Sequence, residues 1–393
     1  MAAPGTKSEV TTSTPYLDRL LPLPGPVRSR LQFLIGFLVG AAIAIAPLYF
    51  RRFWSSLPDL FELALDPWIF IFCCYIGVVV HESGHFLAGR MAGLHLNLVR
   101  FGPLQINAPF RISWHWKQGA GARGFTSMLP RTGNVSRQQV LIMLIGGPAA
   151  NLFTAAIVFP FHKGSGELFR LPIIFVVASL LLGLGNLIPF QKQSSVSDGK
   201  RIWMLVSSKG RGERWIALFQ IVTAISQSVE IDMLPDILIA RATAFTDQSP
   251  DTVTAHAFAY SWAFYRKDTA EAAKFLETAL AFSRHSSPAM REGLIAEAAV
   301  FQARRRKNIA LAQQWFADLP AKPQLPTLPL NVEAAVFEAQ DDFISALRTL
   351  EQSEKVALAL PNRIQRDVSL RSVRRWKTEL VEMLQQHKPA PTA

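Results

Sequence analysis

The stretch Tyr75-Ile76-Gly77-Val78-Val79-Val80-His81-Glu82-Ser83-Gly84-His85-Phe86-Leu87-Ala88 sets an H-E-x-x-H motif inside an apolar run of membrane-spanning length. Positions i and i+4 share one face of a helix, so the two imidazoles can grip one zinc ion while Glu82 faces the water that the metal activates. A Glu and two His at the depth of lipid tails cost a few kcal/mol each unless they have partners, so ionisable groups in a span mark function. The first expectation is therefore a zinc hydrolase working within the bilayer.

Working outward, four apolar segments stand out, at 31–50, 67–88, 138–161 and 171–190, each near the ~20 residues a helix needs to cross ~30 Å of hydrocarbon. Residues 1–28, rich in Thr, Ser and Pro, read as a disordered tail. They are longer than the charged lead of a signal peptide, so the first apolar run reads as a retained span. Four crossings put both termini on one side. No acidic residue occurs between Glu82 and Glu167, and the connection between spans two and three carries Arg90, Arg100, Arg111, Lys117, Arg123 and Arg131. The positive-inside rule makes that loop cytoplasmic and the arrangement N-in, C-in. His81 then lies ~14 residues, roughly 21 Å, along the second span, and a third ligand is expected where span four reaches the same level.

The charge agrees. Residues 1–199 hold 16 Lys+Arg against 8 Asp+Glu, and residues 200–393 hold 25 against 21, so most of the net charge of +12 sits with the spans and reads as topology, not as a nucleic-acid surface. The two cysteines, Cys73 and Cys74, are adjacent and lack C-x-x-C company, which excludes a disulfide framework and a structural zinc site of cysteines. No inverted repeat is present, which speaks against a transporter.

Between spans two and three, Asn97–Phe101 and Phe110–Trp114 carry β-formers around Gly102-Pro103 and Asn107-Ala108-Pro109, the pattern of a short membrane-edge β-hairpin. Its edge strand could hold an unwound substrate segment by β-addition. His95 and His115 in this loop read as solvated side chains. The loop is too short for an inserted domain.

Beyond Lys200 no run reaches span length. Residues 213–235 contain the apolar stretch Trp215–Ile225 with polar flanks, read as a surface or amphipathic helix. The remainder is helical and repetitive. Ala272/Leu276, Ala312/Phe316 and Ala346/Leu350 open comparable helices after polar turns at Arg266-Lys267-Asp268, Arg305-Arg306-Lys307 and Asp341-Asp342. The period is similar to that of tetratricopeptide helix pairs, with generic helical hairpins as the alternative.

Two further motifs follow H-E-x-x-H: Gly146-Gly147-Pro148-Ala149-Ala150-Asn151 in the third span, and Asn186-Leu187-Ile188-Pro189-Phe190 running into Ser197-Asp198-Gly199-Lys200 after the fourth. With these three motifs in order on successive spans, residues 67–205 resemble the site-2 protease family of intramembrane zinc metalloproteases. The resemblance implies that His81 and His85 bind Zn2+, that Asp198 supplies the third protein ligand and that Glu82 is the catalytic base. Relative to the family pattern, Gln191–Val196 lengthens the gap before Asp198, and Ser197 stands where a Leu is common. Two imidazoles and a carboxylate leave a fourth position open, as catalytic zinc requires. Asn151 reads either as a substrate-binding amide or as a helix–helix hydrogen bond beside the small Gly146 and Gly147. Asn186 and Pro189 loosen the end of span four, which turns Asp198 back toward the metal, and Asn186 joins Asn151 as a substrate-binding candidate.

The expected fold is thus an all-α polytopic membrane protein of about four transmembrane helices with a small membrane-edge β-hairpin, plus a soluble C-terminal α-helical repeat domain. Its parts are a tail (1–28), a transmembrane metalloprotease domain (29–205), an amphipathic connector (206–250), tetratricopeptide-like repeats (251–386) and a second tail (387–393). The expected activity is zinc-dependent hydrolysis of peptide bonds in or near the transmembrane segment of membrane-anchored proteins, in a bacterial inner membrane. The cytoplasmic repeats would recruit substrate or a protein partner, and no nucleic acid is involved. The rival is a non-proteolytic membrane scaffold with a vestigial or structural zinc site.

Overall fold

The computed structural model describes residues 14–25, 60–107, 111–114, 124–131, 134–162, 170–192, 195–207 and 209–386. The expected first span and the C-terminal tail lie outside them. The chain divides into two compact units, residues 27–223 and residues 1–26 together with 224–393.

In the first unit, the apolar run around the motif folds as helix α1, Leu60–Met91. Gly93 ends it at φ +83°, a left-handed conformation that glycine takes without strain. The chain then enters strand β1 (Leu94–Phe101), followed by β2 (Leu104–Asn107), β3 (Arg111–Trp114) and β4 (Gly124–Pro130). All pairings are antiparallel, in the order β3-β2-β1-β4. This corrects the expected hairpin. Asn97–Phe101 does not pair with Arg111–Trp114, because Leu104–Asn107 lies between them and Gly124–Pro130 takes the other side of β1. Strand β1 is therefore internal, and β4 is an edge strand among the described residues.

Helix α2, Arg137–Val158, starts with a capping box in which Ser136 accepts the Gln139 N–H and the Gln139 side chain accepts the Ser136 N–H. The same Gln139 amide donates to the Ala92 carbonyl (2.9 Å), which ties the start of α2 to the end of α1. Where the two helices cross, a Cβ on Gly84 would lie 2.3 Å from the Gly146 carbonyl oxygen, so glycine is required for this approach. Helix α3, Arg170–Leu187, follows, then a two-residue hairpin of β5 (Gln191–Lys192) and β6 (Ser195–Val196), and helices α4 (Asp198–Ser207) and α5 (Lys209–Ser226).

Trp68, Phe72, Leu87, Phe153, Ile157, Leu181 and Leu184 are exposed on α1 to α3, whereas His81, Glu82, His85 and Asn151 are buried. An apolar exterior around a polar interior reverses the order of a water-soluble bundle and suits lipid. Two helices are long and apolar enough to cross a membrane among the described residues, Pro67–Met91 and Arg137–Phe161; Leu171–Leu187 is apolar but shorter. Four such helices were expected. The fourth expected span closes early because Pro189 cannot continue the helix.

Leu94 and Met128 of the sheet form one core with Val140, Met143, Leu144, Leu205 and Ile216. The stretch Trp215–Ile225 was expected as a surface or amphipathic helix. Ile216, Ala217 and Ile221 are buried, so its apolar face packs within the protein.

The second unit contains α6 (Asp236–Thr243), then the helical hairpins α7/α8 (Pro250–Tyr265, Thr269–Ala281), α9/α10 (Pro288–Arg304, Ile309–Ala317) and α11/α12 (Leu328–Ala339, Phe343–Leu358), and the long α13 (Arg363–Gln386). One turn recurs in all three hairpins. Lys267, Lys307 and Asp341 adopt φ of 64°, 53° and 61°, and the next residue caps the following helix: Asp268 accepts the Glu271 N–H, Asn308 that of Leu311 and Asp342 that of Ser345. The small/large packing recurs too, with Ala272/Leu276 and Ala346/Leu350 fully buried. In the middle pair Trp315, not Phe316, takes the large buried place beside Ala312.

Thr14–Gly25 departs from the expected disordered tail. Leu17 is fully buried against the helical hairpins, and its backbone is held by their side chains. Its polar, Pro-rich surroundings hid one apolar anchor.

Candidate metal centre

His81, Glu82 and His85 occupy one buried turn of α1. His81 Nε2 lies 3.0 Å and His85 Nε2 3.3 Å from the same Asp198 oxygen, Oδ2. One ligand atom from each of these three residues falls within 4.8 Å of the others. Donors about 2.0–2.1 Å from a tetrahedral zinc ion stand roughly 3.3 Å apart, so the donor set and its spacing fit that metal.

Each imidazole is oriented from behind. His85 Nδ1 is 2.7 Å from the Met143 carbonyl oxygen, which makes Nδ1 the protonated nitrogen and turns the Nε2 lone pair toward the cluster. The Asn151 amide, fully buried, reaches His81 Nδ1 at 3.3 Å through Nδ2, while its Oδ1 has no hydrogen-bond partner in the structure. Turning that amide over lets Oδ1 accept the Nδ1–H proton of His81 and leaves the Nε2 lone pair for a metal. Asn186 Nδ2 lies 2.9 Å from His81 Nε2, on the ligand side of the ring.

Asp198 arrives by a local device. Ser197 accepts the N–H of Phe190 (3.0 Å) and that of Lys200 (3.2 Å), and its hydroxyl donates to the Ile188 carbonyl (2.8 Å). The serine thus closes the hairpin after α3 and caps α4 at once, with Asp198 as the first helical residue. Gln191–Val196, the extra length noted in the sequence, is taken up by the β5–β6 pairing. A Cβ on Gly199 would stand 1.9 Å from the Leu187 carbonyl oxygen, so only glycine allows α4 to begin this close to the end of α3.

Glu82 turns to the sheet. Its Oε2 accepts a 2.5 Å hydrogen bond from the Thr126 hydroxyl of β4, and a Cβ on Gly124 would stand 2.1 Å from its Oε1. On the other side, a Cβ on Gly147 would stand 2.4 Å from His85 Nε2 and 2.8 Å from His81 Nε2. Glycines thus clear space on both sides of the motif. All six residues singled out in the sequence, His81, Glu82, His85, Asn151, Asn186 and Asp198, meet in this region. Sequence reasoning missed Thr126, Gly124 and the Met143 carbonyl, and read Gly147 only as a packing residue. No local signal announces a strand that crosses a helix forty residues away.

Residues 69–167 match the model of peptidase family M50, the site-2 protease family of membrane metallopeptidases. The match includes H-E-x-x-H and Asn151 and stops short of Asn186 and Asp198. No curated protein and no solved structure matches the chain significantly.

Proposed function

We propose that this protein is an intramembrane zinc metalloprotease that hydrolyses peptide bonds in or near the transmembrane segment of membrane-anchored proteins, and that its helical hairpins recruit substrate or a partner. The observation that carries the reading is the convergence of His81, His85 and Asp198 beside a buried Glu82, with both imidazoles presenting Nε2. The family match over the motif supports it.

Held by His81, His85 and Asp198, zinc would supply a Lewis acid for water and for the scissile carbonyl. The remaining roles belong to the chain. Glu82 takes a proton from the attacking water and returns it to the leaving amine, and the Thr126 hydroxyl fixes the carboxylate for both transfers. Asn151 holds the tautomer of His81. Asn186, whose amide stands beside His81 Nε2, would orient a substrate carbonyl. A transmembrane substrate must first unwind, since its carbonyls are engaged in helical hydrogen bonds. The edge strand β4, which carries Thr126, is the natural partner for the extended segment, in place of the Asn97–Phe101 edge expected from sequence.

The reading includes four crossings with N-in, C-in topology in a bacterial inner membrane. What supports the parity is the packing of Thr14–Gly25 within the same compact unit as residues 224–393, since an even number of crossings must then separate them. Metal dependence is the test. Full-length protein stripped with a chelator should lose cleavage of a membrane-embedded reporter and regain it with zinc; equal cleavage before and after stripping refutes the proposal.

A further inference from the structure

The helical hairpins grip residues 14–24 as a receptor grips a ligand. Glu277 of α8 accepts the N–H groups of both Tyr16 (3.0 Å) and Leu17 (2.8 Å). The Leu17 carbonyl receives Gln302 Nε2 of α9 (3.0 Å) and Trp315 Nε1 of α10 (3.1 Å), and its side chain is fully buried. Around this anchor the charges alternate. Arg306 meets Asp18, Asp318 meets Arg19 (2.6 Å), and the Arg19 guanidinium stands 4.9 Å over the Trp315 ring. Arg291 donates to the Pro24 carbonyl.

Four hairpin side chains, Glu277, Gln302, Trp315 and Arg291, are thus aimed at the backbone of one short segment, with the buried Leu17 side chain between them and charged groups at the rim. That is the anatomy of a motif-recognition site. Gln302 is instructive: it is fully buried, its Oε1 has no partner, and its Nε2 bonds to the segment itself. A glutamine placed so has little use in a domain core that does not bind a carbonyl.

We propose that this groove is a peptide-recognition site for a partner protein, whose segment carries the same pattern: a turn with a buried Leu followed by an acidic and then a basic residue. Residues 14–24 fill the groove in cis until such a segment displaces them. The inference deepens the recruitment part of the proposed function and is independent of its hydrolytic part, because binding alone is read.

The test uses the full chain in detergent and a fluorescent peptide of residues 13–25. Leu17→Asp should release the cis segment, so this variant is expected to bind the peptide at least tenfold more tightly than wild type. Adding Glu277→Gln should weaken that binding about tenfold, and the peptide's own Leu17→Asp version should not bind. If Leu17→Asp loses helical circular dichroism, Arg19→Glu, which breaks the Asp318 pair, the bond to the Gln314 carbonyl and the stacking on Trp315, replaces it with the same expectation. Hydrogen exchange on wild type supplies the second readout: excess peptide should deprotect the amides of Tyr16 and Leu17. No binding to either released variant, or unchanged protection in saturating peptide, overturns the proposal and leaves the segment a permanent strap.

Discussion

Gly147→Ala adds one methyl group and should cost the protein its metal. The new carbon would stand 2.4 Å from His85 Nε2, 2.6 Å from His85 Cε1 and 2.8 Å from His81 Nε2. Contact distances between such atoms are about 3.5 Å, so close to 1 Å of overlap must be relieved. The His85 ring cannot simply swing aside, because its Nδ1 is bonded at 2.7 Å to Met143, one turn earlier on the same helix as Gly147. Ligand positions tolerate only about 0.2 Å, so a shift of this size removes at least one imidazole from the ligand set. Disturbing the support of a ligand alone costs ten- to a hundredfold in affinity. Displacing the ligand itself should exceed a hundredfold, roughly 3 kcal/mol at 1.4 kcal/mol per decade. The assay is zinc competition against a chromophoric chelator on detergent-solubilised protein. Gly185→Ala is the control, since its methyl meets nothing within 4 Å and should leave zinc affinity unchanged. Zinc affinity of Gly147→Ala within threefold of wild type would refute the geometry argued here.

Thr126→Val keeps the shape of β4 but removes the hydroxyl that holds Glu82; turnover of a reporter should fall about tenfold with zinc content unchanged, the loss of one hydrogen bond to a charged group. Glu338→Leu strips a partner from buried Arg304, which Glu338 meets at 2.8 Å, and from Trp376; it should destabilise the helical unit by about 3 kcal/mol in denaturant melts, whereas less than 1 kcal/mol would mean Glu379 suffices for Arg304. Asp232 is gripped by both terminal nitrogens of Arg375 at 2.9 Å, and this pairing holds its carboxyl below the ordinary value against the opposing effect of burial. A carboxyl depressed on folding stabilises above its unfolded value near 3.9 and loses that contribution as pH falls through the folded value. Asp232→Asn should therefore melt lower than wild type at pH 7, by about 1 kcal/mol after solvent screening, and the gap should close toward pH 3; a gap equal at both pH values contradicts the assignment.

How far the sequence carried the site depends on where each signal lies. His81, Glu82 and His85 sit on one helix, so local periodicity puts them together. Asp198 needed the resemblance, and the longer gap before it looked unfamiliar; the structure shows that gap folding back on itself through β5 and β6, with Ser197 and Gly199 making the turn possible. Thr126 and Gly124 were illegible because a strand's path across a helix is a tertiary fact. The sequence suggests one hairpin because Leu104–Asn107 lies between two turn signals, Gly102-Pro103 and Asn107-Ala108-Pro109, and Gly124–Pro130 ends in a proline. In the helical unit, the three turns were visible as polar clusters, but their shared left-handed residue and cap were not. Thr14–Gly25 is hidden for a different reason: composition averages over a segment, and a single Leu17 with captured backbone groups does not move that average.

The most direct test of the central claim compares wild type with Glu82→Gln for cleavage of a tagged, membrane-embedded reporter, with bound zinc quantified in both. The account predicts about one zinc per chain in each protein and cleavage by the wild type alone. Zinc in both and cleavage by neither, on every candidate reporter, would contradict it and favour a scaffold whose metal site does no chemistry.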